Sequence, residues 1–436
     1  VSRRPYLALQ HRDFRWLWAS MLVSLTGTQM QVVAINWHIY LLTKSALALG
    51  FVGLTRVIPI IAFSLWGGIV ADRRDRRAVM LVAQSAMTAV SLALAVLALR
   101  GHPSVWPIYA LNALQAAASA FDSPARQALV PRLVPRADLP GALALNLTMF
   151  HAAMIGGPGL AGALIGALGG GAAPAPGSGI VDTRALALIY LLNAMSFAGV
   201  LFVLATMRTS GRVDPSGLTP ESPLESLRSG LRFVFTTPVM VWTMTLDFFA
   251  TFFSGAMSLL PIVADQVLRV GAQGYGALAA APAVGAVLGS LYTSVHPLPR
   301  RQGRVLLWAV AAYGVATVAY GLSRSFLLTF VALAATGLAD VVSTVIRQTL
   351  RQLLTPDELR GRMTSVNMIF FMGGPQLGEM EAGLVASLFT TAAVGVTVSI
   401  VTGGLATLAA TVFVAGATTV VRRYEPPLAP TGSEVS

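Results

Sequence analysis

Apolar residues run in long stretches along nearly the whole chain, and short polar, mostly basic segments interrupt them at regular intervals. A helix that crosses a bilayer needs about 20 mostly apolar residues. Stretches of that kind recur near 16–42, 46–71, 77–99, 106–129, 140–168 and 185–207, then near 238–262, 274–297, 303–323, 326–350, 364–390 and 395–420. The pattern predicts an all-α membrane protein with twelve transmembrane helices. The polar opening VSRRPYLALQHRDFR has no small-residue cleavage site, so the first stretch reads as a retained helix and not a signal peptide. Residues 208–237 are the longest polar interruption, with Pro215, Pro220 and Pro223, and they separate six spans from six. The expected organisation is a six-helix bundle over 1–207, a cytoplasmic linker over 208–237, a second bundle over 238–424 and a disordered tail over 425–436. In the linker, Leu224, Leu227, Leu231 and Val234 recur at helical spacing around Arg228 and Arg232, which predicts a short amphipathic helix on the membrane surface.

Composition agrees with the pattern. Of 436 residues only 11% are charged and 55% are hydrophobic, and mean hydropathy is +0.70. With no cysteine, disulfides, thiolate metal sites and cysteine catalysis are excluded. A net charge of +12 would suggest nucleic acid in a soluble protein, but its placement explains it differently. When alternate loops are assigned to one side, 24 of the 30 basic residues fall on it, including Arg3, Arg4, Arg73, Arg74, Arg300, Arg301, Arg422 and Arg423. The positive-inside rule then puts both termini in the cytoplasm, in a multi-pass inner-membrane protein with no nucleic-acid partner. The single lysine, Lys44, leaves no Walker-type phosphate loop, and the five histidines form no His-Glu-x-x-His site. The expectation is therefore no enzyme activity, no cofactor and no metal.

The two halves repeat each other. Arg126-Gln127, then Leu129, Leu133 and Pro135, is matched 221 positions later by Arg347-Gln348, Leu350, Leu354 and Pro356; Asn146 and Asn367 keep the offset. Gly156-Gly157-Pro158 in span five matches Gly373-Gly374-Pro375 in span eleven. Duplicated six-helix units build many secondary transporters, with the site between the halves near the midplane.

After span two stands Gly68-Ile-Val-Ala-Asp72-Arg73-Arg74-Asp75-Arg76-Arg77. It resembles the loop motif Gly-x-x-x-Asp-Arg-x-Gly-Arg-Arg of the major facilitator superfamily, with Asp75 replacing the second glycine. FDSPARQALVPRLVPRADL (121–139), Leu260-Pro261 and Thr-Pro-Asp-Glu-Leu-Arg-Gly-Arg (355–362) are similar to the branch that holds the enterobactin exporter and related drug-efflux proteins. The resemblance implies two pseudo-symmetric bundles, alternating access, and a central cavity lined by helices one, four, seven and ten.

Those helices are also the ones whose polarity forms stripes: Asn112, Gln115, Ser119, Asp122 and Arg126 in span four; Thr336, Asp340, Thr344, Arg347 and Arg351 in span ten; Thr243, Asp247 and Thr251 in span seven; Thr28 and Gln31 in span one. Gln31, Gln115, Asp247 and Asp340 are expected to converge on one water-accessible cavity, with Asp122, Phe248 and Phe252 in its wall. A carboxyl withdrawn from water can load and release a proton, so Asp247, Glu379 and Glu381 are the proton-coupling candidates. Glu379 and Glu381 point about 200° apart on a helix and cannot both face one cavity. Arg56, inside span two, needs a carboxylate partner. Asp72, with Gly68, Arg73, Arg76 and Arg77, reads as a latch that closes the cytoplasmic side, and Asp122 with Arg126 as an ion pair that serves structure or gating. The proton-antiporter arginine of span four is missing, because the nearest match, Asn112 to Ala116, has neither its Arg nor its Gly.

The reading is a secondary active transporter, a monomer in the bilayer that exchanges protons for an amphiphilic small molecule such as a drug or siderophore. The rivals are a facilitator or importer of a small metabolite, and a transport-inactive scaffold or sensor.

Overall fold

The computed structural model describes residues 5–101, 104–168, 183–209, 211, 223–296, 300–356 and 360–425, and those residues contain no strand. Six long helices make the N-terminal half: α1 (Arg12–Thr43), α2 (Ala46–Arg73), α3 (Arg76–Leu99), α4 (Trp106–Leu133), α5 (Leu139–Ala167) and α6 (Arg184–Thr206). After α7 (Pro223–Thr236) come α8 (Pro238–Phe253), the single turn α9 (Leu260–Ile262), α10 (Gly271–Val295), α11 (Gln302–Leu322), α12 (Phe326–Leu354), α13 (Arg360–Ser387), α14 (Ala392–Ala417) and a last turn, α15 (Thr419–Arg422). Among the described residues nine helices are long and apolar enough to cross a membrane, with α8 to Val267 counted as one. The long helices outside that set are α1, α4 and α13, which carry Gln31 and His38, Asp122 and Arg126, and Glu379 and Glu381. Their polarity is directed inward, as the cost of polar groups in lipid requires.

The seventh span is not the continuous helix its hydropathy predicts. It breaks after α8, passes through a 3₁₀ turn (Ala256–Leu259) and α9, and ends in a π turn (Val263–Val267). Gly255 marks the break because α13 crosses it closely: a side chain there would stand 2.9 Å from Gly378 backbone atoms. Ser254 spans the same gap, its hydroxyl 2.9 Å from that of Thr407 in α14.

The repeat holds in three dimensions. Gly157 of α5 packs on α1 at Thr26 and Gln29, while Gly374 of α13 packs on α8 at Phe248 and Thr251. Both pairings give an offset of 222 between α1 and α8.

Among the described residues the halves share a hydrophobic core at one end only. One hydrophobic core draws on both, with Trp37, Tyr40, Leu49 and Ile165 from the first and Leu259, Ile262, Tyr275 and Ile400 from the second. It lies where α1 ends and α2 begins, and Trp37 stacks on Tyr275 with centroids 5.5 Å apart. Lys44 Nζ lies 3.6 Å from Asp265 Oδ2 there, and the Tyr40 hydroxyl donates to the same carboxylate. Toward the end where α1 begins the cores separate: one is built from the N-terminal half alone, two from the C-terminal half and α7. Among the described residues the bundle is thus packed together at the Lys44 end and shares no core at the other.

α7 departs from expectation in its partner. Val234 and Leu231 pack with Met240, Met244, Leu350 and Met363 in a core of the second half, so that part of its apolar face is used against protein and not against the membrane surface. The side chains of Leu224 and Leu227, the linker 169–182 and the tail beyond Glu425 lie outside the described residues.

Candidate functional site

The loop between α2 and α3 ties the first half to itself. Asp75, the departure from the motif, caps α3: its carboxylate accepts from the backbone N–H groups of Arg77 at 2.9 Å and Ala78 at 3.4 Å. Arg76 donates to the Ala128 carbonyl of α4 at 2.9 Å, and Arg77 to the carbonyls of Met207 and Ala205 at 2.9 and 2.8 Å. The arginines thus satisfy carbonyls near the C-terminal ends of α4 and α6. Arg73 is exposed, and nothing stands within 4 Å of where a Gly68 side chain would be. The side chain of Asp72 lies outside those described.

The single expected cavity is two, each of about 230 Å³. The first half encloses one, lined by Gln31, Arg56, Gln84, Asn112, Gln115, Asp122 and Arg126. Asp122 accepts from Gln84 Nε2 at 2.9 Å and lies 3.6 Å from Arg126 Nε on its own helix. The Gln31 carbonyl accepts from Ser91 at 2.7 Å and from Asn193 at 2.9 Å, which makes it a node between α1, α3 and α6.

The second half encloses the other, lined by Asp247, Thr251, Tyr313, Thr317, Tyr320, Thr336, Asp340 and Glu379. Beside it Arg347 joins two helices. Its guanidinium lies 2.6 Å from Asp247 Oδ1 on α8 and 3.6 Å from Asp340 Oδ1 on its own α12, and it donates to Ser343 at 2.8 Å and Thr344 at 2.9 Å. Its side chain is only 5% exposed, so the charge survives burial through four partners. One turn on, Arg351 donates to Asn367 of α13.

Gln31, Gln115, Asp247 and Asp340 therefore do not converge: the two glutamines face one cavity, the two aspartates the other. Phe248 and Phe252 line neither. They stack on each other with centroids 5.9 Å apart, and Phe248 meets Phe370 of α13. Tyr313 and Tyr320 supply the aromatic wall instead. Of the two glutamates, Glu379 lines the second cavity and Glu381 neither. Arg56, which was expected to have a carboxylate partner, makes no ion pair within 4 Å among the described residues; it lines the first-half cavity, and Glu379 lines the second. Arg347 was visible in sequence only as part of a stripe and as the repeat mate of Arg126; that it bridges two helices depends on the packing of α8 against α12.

The transmembrane secretion effector family model matches residues 4–428. Enterobactin exporter EntS of Shigella dysenteriae serotype 1 is 27% identical over 381 residues, covering 87% of this chain and 86% of the relative. EntS of Escherichia coli O139:H28 is 26% identical over the same length. Among solved structures, a bacterial homologue of the human lysosomal transporter Spinster, inward-facing and unoccupied, superposes with a TM-score of 0.73 at 17% identity, covering 95% of this chain and 99% of that one. An inward-facing bacterial homologue of the iron transporter ferroportin gives 0.67 at 17%, covering 93% and 98%. With a family match over almost its full length, a duplicated six-helix fold and transporters as its relatives, the chain belongs to the transmembrane secretion effector family of the major facilitator superfamily, as a multi-pass membrane transporter of the efflux branch.

Proposed function

We propose that this transporter exports an amphiphilic small molecule across the inner membrane by alternating access, in exchange for protons, with both termini in the cytoplasm. One observation carries the reading: a buried arginine holds two carboxylates from two helices beside a cavity of the second half. A cross-helix pair of this kind has different partners when α8 and α12 move, so its protonation can follow the transport cycle. On the positive-inside assignment the closed Lys44 end faces outward, and the parted end opens to the cytoplasm, where an exporter collects its substrate. Asp247 is the first coupling residue, with Glu379 second. The relatives named for enterobactin support a substrate of siderophore size, and the tyrosine-lined cavity supports a partly apolar one.

The test uses vesicles containing the purified protein and an internal pH dye, with enterobactin and ethidium as probes. The expected result is probe accumulation driven by an imposed proton gradient and probe-driven proton movement. Probe equilibration unaffected by the gradient would instead make the chain a facilitator, and no movement of either probe or protons would favour the scaffold.

A further inference from the structure

Three of the buried polar atoms that make no hydrogen bond belong to residues of the first-half cavity. Gln84 of α3 is 1% exposed; its amide nitrogen donates to Asp122 at 2.9 Å, and its carbonyl oxygen has no partner among the described residues. The orientation of that amide is fixed, because an ionised carboxylate only accepts, so the atom left over is an acceptor. Gln115 Oε1 and Arg126 Nε of α4 make no hydrogen bond either. Arg56 of α2 adds a full charge to the same wall. Asn112 of α4 donates to the Thr55 hydroxyl at 2.9 Å and so holds that turn of α2 against α4, and Arg56, the next residue, lines the cavity half-buried with no ion pair within 4 Å among the described residues.

The two cavities differ in sign. The charged groups lining the first are Arg56, Arg126 and Asp122. Asp122 is engaged by Gln84 and, at 3.6 Å, by Arg126, so Arg56 is the cation left over. Glu379 of α13 lies against α2 at Gly53, but it lines the other cavity. There Asp247, Asp340 and Glu379 stand together, and Arg347 beside them is shared between the first two. An anion is thus drawn to the first-half cavity and repelled by the second.

We propose that the first-half cavity binds an anionic, hydroxyl-bearing ring of the substrate, a hydroxylated aromatic carboxylate or its like, with the oxyanion on Arg56 and the hydroxyl donating to the carbonyls of Gln84 and Gln115. This site deepens the exporter reading and rests on it, and proton coupling stays with Asp247 in the second half. Leu25, Met87 and Phe197 supply the apolar part of the wall. An apolar cavity of about 150 Å³ holds benzene, and the volume here, about 230 Å³, leaves room for a ring with its substituents. Each polar partner selects for one feature. The guanidinium separates an oxyanion from a neutral amide of the same shape. The glutamine carbonyls separate a hydroxyl from a hydrogen, because a ring without the hydroxyl leaves a buried acceptor unpaired.

The test is equilibrium dialysis of labelled salicylate against the purified protein at neutral pH, with salicylamide and benzoate as competitors. Salicylamide keeps the ring and hydroxyl but has no charge; benzoate keeps the charge but has no hydroxyl. Salicylate should bind about tenfold more tightly than salicylamide and severalfold more tightly than benzoate. Arg56→Gln should abolish the first preference and Arg56→Lys should keep it. Gln84→Met with Gln115→Met should abolish the second, with folding checked by size-exclusion chromatography. A measurement on the native chain needs no variant: salicylate should protect Arg56 from phenylglyoxal, read by mass spectrometry, and leave the exposed Arg73 unprotected. No preference for salicylate over salicylamide in the parent, the same preference in Arg56→Gln, or no protection of Arg56 would overturn the site. A preference over benzoate that survives loss of both glutamines would overturn the role of their carbonyls. Salicylate binding as described, in a protein whose vesicles move neither probe nor protons, would support the site and remove the exporter reading. Exchange of probe for protons without salicylate binding would overturn the site and leave the exporter reading standing.

Discussion

Arg126 in α4 and Arg347 in α12 stand at matching places of the repeat, 221 positions apart. Arg126 reaches Asp122 on its own helix at 3.6 Å, while Arg347 reaches across to Asp247 on α8 at 2.6 Å. The offset of 222 that relates α1 to α8 places Leu25, a residue of the first cavity's wall, where Asp247 stands in the second half. The acids differ in place: Asp247 on the neighbouring helix and Asp340 on α12 stand where the first half has Leu25 and Ser119, while Asp122 stands where the second half has Ser343. A pair within one helix moves as a unit and is blind to how helices shift, whereas a pair between helices feels every change in their separation. On the proposed proton-coupled reading, the first half keeps this pair as scaffold and the second uses its own as a sensor.

The largest effect is expected from Arg347→Met, which leaves Asp247 buried without its cation. The cost should be about 3–5 kcal/mol, read as a lower unfolding temperature in detergent, with transport lost. Adding Asp247→Asn to that variant should recover most of the stability and none of the transport. Arg126→Met should cost less, about 1–2 kcal/mol, because Asp122 keeps its hydrogen bond from Gln84 at 2.9 Å. Equal costs in the two halves would erase the contrast. Smaller still is Glu381→Gln, whose transport should stay within about twofold of the parent because the residue lines neither cavity. A loss as large as that of Glu379→Gln would show that the face of α13 has been assigned wrongly.

The smallest effect concerns the scaffold role of the first half. Asp13, at the start of α1, accepts from the Thr209 hydroxyl at 2.6 Å and from the backbone N–H groups of Thr209 and Arg208 at 2.8 and 3.1 Å. Partial burial raises its carboxyl, but those bonds and the charge of Arg12 outweigh it, and the group sits below the ordinary carboxylate value. A lowered folded value means the stabilisation is present above the unfolded value of about 3.9 and is lost as pH falls through the folded one. Acid unfolding followed by circular dichroism should accordingly be shallower at its onset in Asp13→Asn, by a few tenths of a pH unit at most; no difference would remove Asp13 as a tie between α1 and the end of α6.

Much of this was legible in the chain itself. Hydropathy alone placed every long helix but α8 within about five residues, because lipid permits few alternatives to a continuous helix. The stripes of α4 and α12 named Asp122, Arg126, Asp340 and Arg347, since polar side chains in a membrane must share a face. Three things were not legible. The break after α8 depends on where Gly378 of α13 crosses Gly255. The division into two cavities depends on how the two halves pack against each other in three dimensions, which the polar stripes of single helices do not encode. The close approach of Glu379 to α2 depends on the seam between the halves, where it lies in the space left at Gly53.

Probe-driven proton movement in vesicles, compared between Asp247→Asn and Asp122→Asn, tests the division between a scaffold half and a coupling half most directly. Enterobactin and ethidium serve as probes, and an internal pH dye reports the protons. The account predicts that Asp122→Asn moves protons within a few-fold of the parent and that Asp247→Asn moves none while remaining folded by size-exclusion chromatography. Full proton movement by Asp247→Asn, or equal loss in both variants, would contradict it.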